Sequence, residues 1–223
     1  MIDCEAYLGY LTGHLKEKFS SRLVYIGLQG SYLRGEADEN SDFDVMLVLD
    51  ELTPADLDEY RAILQSGGYY DKSCGFVCGR EDLAHWNPLE LCHLLHTTKD
   101  VYGCLADLIP AYTTEDQRNF VRFSLGGLYH ELCHRYIHAS RGRNIEALPD
   151  TYRGVFFILQ NLYFLRTGTF VQTKSEMLET LTGDDREVMR LCLELKHAET
   201  YDFDAAYGLL FRWCQGTIRS FME

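Results

Sequence analysis

Two short apolar runs, Leu23 to Leu28 and Phe43 to Leu49, bracket a polar stretch that opens on Gly30-Ser31 and closes on Ser41-Asp42. Each run has the length and composition of a buried strand. A Gly-Ser turn directly after a strand lets backbone N–H groups approach a phosphate, and the Ser31 hydroxyl can donate to a phosphate oxygen. Asp42 and Asp44 are two residues apart, so on a strand they share a face. Two carboxylates side by side repel unless a divalent cation sits between them. Oxygen donors of this kind suit Mg²⁺, which keeps waters and takes further ligands from substrate phosphates. That is the arrangement of metal-assisted phosphoryl or nucleotidyl transfer. The competing reading is a solvated polar loop in which both aspartates only face water.

The rest of the chain changes character along its length. Residues 3–19 repeat apolar positions at helical spacing, with Tyr7, Leu8, Leu11, Leu15 and Phe19 on one side. Pro54 opens a helix that runs to about Gln65, proline being favoured in the first turn, and Gly67-Gly68 ends it. A third strand is expected over about Lys72 to Val77, a short helix near Glu81 and another over about Leu89 to His96. Ile109 to Thr114 reads as a linker, and Thr114 with Gln117 three residues on suits a helix start. Helical period then dominates over 115–139, 148–166, 174–182, 184–197 and 203–221. Breaks are expected at Arg141-Gly142-Arg143-Asn144, at Thr167-Gly168-Thr169, at Gly183-Asp184 and near Thr200. The fold class is α+β: a small mixed sheet with flanking helices over residues 1–108, then an all-α helical bundle over 109–223.

With 21 Lys and Arg against 34 Asp and Glu, the net charge of −13 makes nucleic acid a poor partner and favours cationic ligands or metal ions. No apolar run approaches the ~18 residues of a membrane span, and the N-terminal stretch has no apolar signal core, so a cytoplasmic location is expected. The 8 cysteines are scattered with no C-x-x-C and read as reduced, mostly buried thiols. Cys74 and Cys78 fall on one face of the third strand, but a zinc site there lacks identifiable partners.

The pattern G-S-x-x-R-G-x5-S-D-x-D, at Gly30, Ser31, Arg34, Gly35, Ser41, Asp42 and Asp44, resembles the signature of the DNA polymerase β-like nucleotidyltransferase superfamily. The resemblance implies Gly30, Ser31, Arg34 and Ser41 at the nucleotide, and Asp42 and Asp44 as catalytic ligands of Mg²⁺. It also implies a third carboxylate on a neighbouring strand. The slot falls near Ser73, where there is none, and Asp71 two residues earlier is the candidate. Asp100 to Leu105 resembles the segment that closes the catalytic domain of aminoglycoside nucleotidyltransferases. Gln160 to Gly168 followed by Thr173-Lys174-Ser175 is similar to the helical domain of streptomycin/spectinomycin adenylyltransferases, which implies that Lys174 approaches the ATP phosphates. By resemblance to kanamycin-type enzymes, Glu131 is the candidate general base.

A second motif, His130-Glu131-Leu132-Cys133-His134, satisfies H-E-x-x-H on a helix, with His138 one turn further on, yet a third zinc ligand has no clear source. Tyr129, Tyr136, Tyr152, Phe156, Phe157, Tyr163 and Phe164 recur at helical spacing and read mainly as core. The function expected is Mg²⁺-dependent transfer of AMP from ATP to a hydroxyl of a small cationic molecule such as an aminoglycoside, in a cleft between the domains. The alternatives are a non-catalytic nucleotide-binding protein and an antitoxin-like regulatory protein on the same scaffold.

Overall fold

The computed structural model describes residues 2–221. The two apolar runs form β1 (Leu23–Leu28) and β2 (Phe43–Leu49), which pair antiparallel. β3 (Ser73–Gly79) lies parallel to β2, and β4 (Lys99–Tyr102) lies antiparallel to β1, so the mixed sheet runs β3-β2-β1-β4. A parallel pair needs a crossover connection, which α3 (Pro54–Ser66) supplies.

Alternation along β2 sorts its side chains onto two faces. Phe43, Val45, Leu47 and Leu49 pack in one core with Tyr7, Leu11 and Leu15 of α1 (Cys4–Phe19) and Tyr60 of α3. Met46 and Val48 pack in the other with Tyr25, Cys78 and Leu83. Leu83 belongs to α4 (Arg80–Ala84), and Leu94 and Leu95 of α5 (Pro88–Thr97) pack against the same core. α3 starts on a capping box between Thr53 and Asp56. The Asp56 carboxylate also accepts from the two terminal guanidinium nitrogens of Arg22, at 2.9 and 2.7 Å. The Arg22 bonds, then those from Thr53, hold it well below the usual carboxylate range.

The short strand β4 escapes the sequence reading because it has four residues, two of them the exposed Lys99 and Asp100. Tertiary contacts make it: the ladder to β1, and the buried Tyr25 hydroxyl donating to Asp100 Oδ1 at 2.6 Å.

The chain divides into two compact units, Met1–Tyr112 and Thr113–Glu223. The second is built from α6 (Thr114–His138), α7 (Arg141–Thr167), α8 (Lys174–Thr180), α9 (Gly183–Glu194) and α10 (Phe203–Phe221). Its core gathers Leu125, Tyr152, Phe156, Leu159, Leu210 and Trp213. α7 begins two turns earlier than helical period predicts. Ser140 caps it, and the buried Asn144 side chain donates to the Arg135 carbonyl at 3.0 Å, fastening the new helix to the end of α6. Pro149 lies inside α7 and has no N–H to give to Ile145; the Tyr201 hydroxyl donates to that carbonyl instead. No helix among the described residues is long and apolar enough to cross a membrane.

Candidate active site

The turn after β1 is fastened to the start of β2, because the Gln29 N–H donates to the Asp44 carbonyl at 2.9 Å. Gly30 follows at φ +68° and opens the single-turn helix α2 (Gly30–Arg34). A Cβ at Gly30 would fall 1.8 Å from Asp44 Oδ2, so the carboxylate lies against bare backbone. Ser31 stands next in the turn, its carbonyl accepting from the Glu36 N–H at 2.9 Å. The site is therefore a local product of one strand–turn–strand unit.

Ser41 serves this loop directly. Its hydroxyl accepts from the Asp38 N–H at 2.9 Å and donates to Asp38 Oδ1 at 3.2 Å, which shapes the chain just before Asp42. What the structure gives Ser41 is a role in holding the loop. Arg34 donates through Nε to Glu36 Oε2 at 2.9 Å, an ion pair that is mostly buried.

Asp42 is exposed just ahead of β2, and Asp44 is half-buried one residue inside it. Burial raises the Asp44 carboxyl above its ordinary range; the Cys74 thiol, donating to it, pulls the other way, the Asp42 charge raises it and the Arg34 charge lowers it. Cys74 faces Asp44 directly across the parallel β2/β3 ladder. Its thiol, on a residue that is otherwise exposed, is raised in turn, by partial burial against β2 first and then by the Asp44 charge.

The expectation for Asp71 rests on strand alternation, and the structure removes that premise. β3 begins at Ser73, and Asp71 is exposed in a 3-10 turn over Tyr70–Lys72. Ser73 itself is turned to the α1 side, hydrogen-bonded to the Tyr7 hydroxyl at 2.8 Å and donating to the Tyr69 carbonyl at 2.9 Å. The slot beside Asp44 is one residue further on and holds Cys74.

Asp42 and Asp44 suit a small hard cation. They are two oxygen donors that repel each other, backed by a turn with no side chain to crowd the ion. Among the described residues no group of three His, Cys, Asp or Glu side chains is placed to hold a metal. An ion at the pair would complete its shell from water and substrate oxygens, as Mg²⁺ does.

Sequence reasoning also missed His93. It lies on α5, where burial, with the Arg34 and His96 charges behind it, pushes its imidazole down to about 4. Nothing in the local pattern Leu91-Cys92-His93 marks it; only the fold brings it near Arg34.

The helical unit carries the other two expected residues. Glu131 lies on α6, where its Oε1 accepts from the Arg135 guanidinium and from the Thr151 hydroxyl. It lines a groove of about 520 Å³ between α6 and α7, with Phe120, Gly127, Thr151, Gly154 and Phe157. Both bonds fall on the same carboxylate oxygen, Oε1. Lys174 is the first residue of α8, after the Thr173 capping box, and its Nζ sits 5.6 Å from the centre of the Phe156 ring.

Residues 11–73 match the nucleotidyltransferase domain family. The matched span runs from α1 to the first residue of β3 and contains Gly30, Ser31, Arg34, Ser41, Asp42 and Asp44. Residues 11–73 thus carry the features of a nucleotidyltransferase domain. No curated protein sequence matches it. Its structure is similar to spectinomycin adenyltransferase AAD(9) from Enterococcus faecialis, solved with ATP and spectinomycin, at a TM-score of 0.59 and 15% identity over 96% of this chain and 99% of that one. That likeness extends the shared fold through the helical unit. A toxin-antitoxin structure with AMP-PNP matches at a TM-score of 0.34 and 19% identity, over 58% of this chain and 92% of the other.

Proposed function

We propose that this protein transfers a nucleoside monophosphate, AMP from ATP, to a hydroxyl of a small cationic molecule. The observation that carries the reading is the Asp42/Asp44 pair set against the bare turn at Gly30, inside the span that matches the nucleotidyltransferase domain. In this reading the backbone of Gly30 and Ser31 holds the triphosphate, and Arg34 and Ser41 keep the surrounding loop in shape. Asp42 and Asp44 hold Mg²⁺, which when bound neutralises phosphate charge and polarises the reacting phosphorus. The fold neighbour that holds ATP and spectinomycin supports the choice of nucleotide and of a small-molecule acceptor, and the acidic balance of the chain suits a cationic one. The phosphate contact expected of Lys174 belongs to the same proposal. The role of Glu131 as general base belongs to the same proposal, with its Oε1 held by Arg135 and Thr151.

The test is calorimetric titration of ATP with and without Mg²⁺, on the wild type, on Asp42→Asn/Asp44→Asn and on Lys174→Ala. Binding that needs the cation and disappears in the double variant supports the nucleotide site, and weaker binding in Lys174→Ala supports its phosphate role. A wild type that binds no ATP under any of these conditions sinks the reading. A second reading, nucleotide binding without transfer, is favoured by the thiol that stands beside Asp44 where the family resemblance implies a carboxylate. ATP binding with no pyrophosphate released across a panel of acceptors would identify it.

A further inference from the structure

Helix α6 carries three histidines that nucleotidyl transfer leaves unused. His130, His134 and His138 follow one another at a spacing of four residues, and all three are exposed. The His134 and His138 rings stand 4.7 Å apart, centre to centre, with their planes at 45°. The His130 and His134 rings are 5.8 Å apart. Imidazoles four residues apart on a helix share a face and can chelate one transition ion of borderline softness.

The neighbouring groups are occupied elsewhere. Glu131 is held by Arg135 and Thr151, so the glutamate that a zinc peptidase would use as base is bound to the groove side. Cys133 is half-buried, and its electrostatic influence falls on Tyr207 and Cys214 of α10, which places it toward the core. Among the described residues no third ligand closes the set. The remaining coordination positions are therefore open to water.

We propose that His134 and His138 form a two-imidazole surface site for a borderline divalent transition ion, Ni²⁺ or Zn²⁺, on the helical unit. The closer pair is the chelate; His130, a turn away and farther off, is an onlooker. Coordination displaces water from the ion and needs no redox step or proton source, since both imidazoles bind as neutral rings.

The test is calorimetric titration of NiCl₂ into the full chain, thiols kept reduced, in the Asp42→Asn/Asp44→Asn background so that the carboxylate pair does not compete. Against that background, His134→Ala and His138→Ala are each expected to lose about tenfold or more in Ni²⁺ affinity, and His130→Ala less than about threefold. Protection of His134 and His138 from diethyl pyrocarbonate by Ni²⁺, read by mass spectrometry on the unsubstituted protein, gives the same answer without a variant. Unchanged affinity in His138→Ala, an equal loss in His130→Ala, or no Ni²⁺ binding at all overturns the proposal.

Discussion

The Asp44 carboxylate occupies the space that a side chain at position 30 would need: a Cβ on Gly30 would lie 1.8 Å from Asp44 Oδ2. The backbone there, at φ +68°, is also one that L residues adopt at a cost. Gly30→Ala therefore meets two obstacles. We expect it to lower stability by about 2 kcal/mol in denaturant titrations and to abolish Mg²⁺-dependent ATP binding. An alanine variant that binds ATP like the wild type would show that Asp44 can leave the turn without consequence.

Cys74 faces Asp44 across the parallel strands and donates to it. Cys74→Asp gathers a third carboxylate beside Asp42 and Asp44. Without divalent ions the added repulsion is expected to lower the melting temperature below that of the wild type. With millimolar Mg²⁺ it is expected to recover, giving a larger cation-induced shift than the wild type shows. Thermal melts at a series of Mg²⁺ concentrations measure both. Equal shifts in the two proteins would mean that position 74 does not reach the ion.

His93 gives the first unit a pH dependence whose sign can be worked out. Folded, its imidazole titrates near 4, lowered by burial first and by the Arg34 and His96 charges second. Unfolded, it titrates near ~6.5. Between those values the unfolded chain binds the extra proton, so stability is full above about pH 6.5 and is lost as pH falls toward 4. The loss is on the order of 3 kcal/mol. His96, lowered by burial, adds in the same direction. His93→Gln is expected to flatten the stability–pH curve in this window. A variant curve parallel to the wild type would rule out a buried neutral His93.

Tyr201 completes a helix it does not belong to. Its hydroxyl donates to the Ile145 carbonyl, which Pro149 leaves without a partner. Tyr201→Phe is expected to cost about 1 kcal/mol in chemical denaturation. In a Pro149→Ala background the restored N–H serves the same carbonyl, so the cost of Tyr201→Phe should shrink. If the two substitutions are additive, the hydroxyl is not standing in for the missing helix bond.

The legible parts of this molecule are those whose cause is local. β1 and β2 lie where their apolar runs put them, and the loop between them reads correctly because Gly30, Gly35 and the Ser41 turn answer to nearby backbone. The neighbour of Asp44 was not legible. Whether Ser73 or Cys74 stands beside it depends on where β3 begins after α3, a tertiary matter that shifts the face by one residue. β4 was hidden by its exposed charges, and the first turns of α7 by Arg141-Gly142-Arg143-Asn144 and Pro149, all of which read as a break. Ser140, Asn144 and Tyr201 supply the caps and bonds that make it a helix, and Tyr201 lies far along the chain.

One residue beyond Cys74, Gly75 has φ +143°, and a Cβ there would meet the Val45 carbonyl oxygen at 2.0 Å. The position is exposed on an edge strand, where most proteins accept almost any polar residue. Here the glycine presses β3 onto β2 at the rung next to Asp44, and a slip by one residue would carry a side chain into that contact and turn the Cys74 thiol away. The tolerance of this surface to mutation is therefore the reverse of what its exposure suggests. In a library of all single substitutions, position 75 should be depleted as thoroughly as the interior of β2, and the alignment of the thiol with the carboxylate is what that depletion would record.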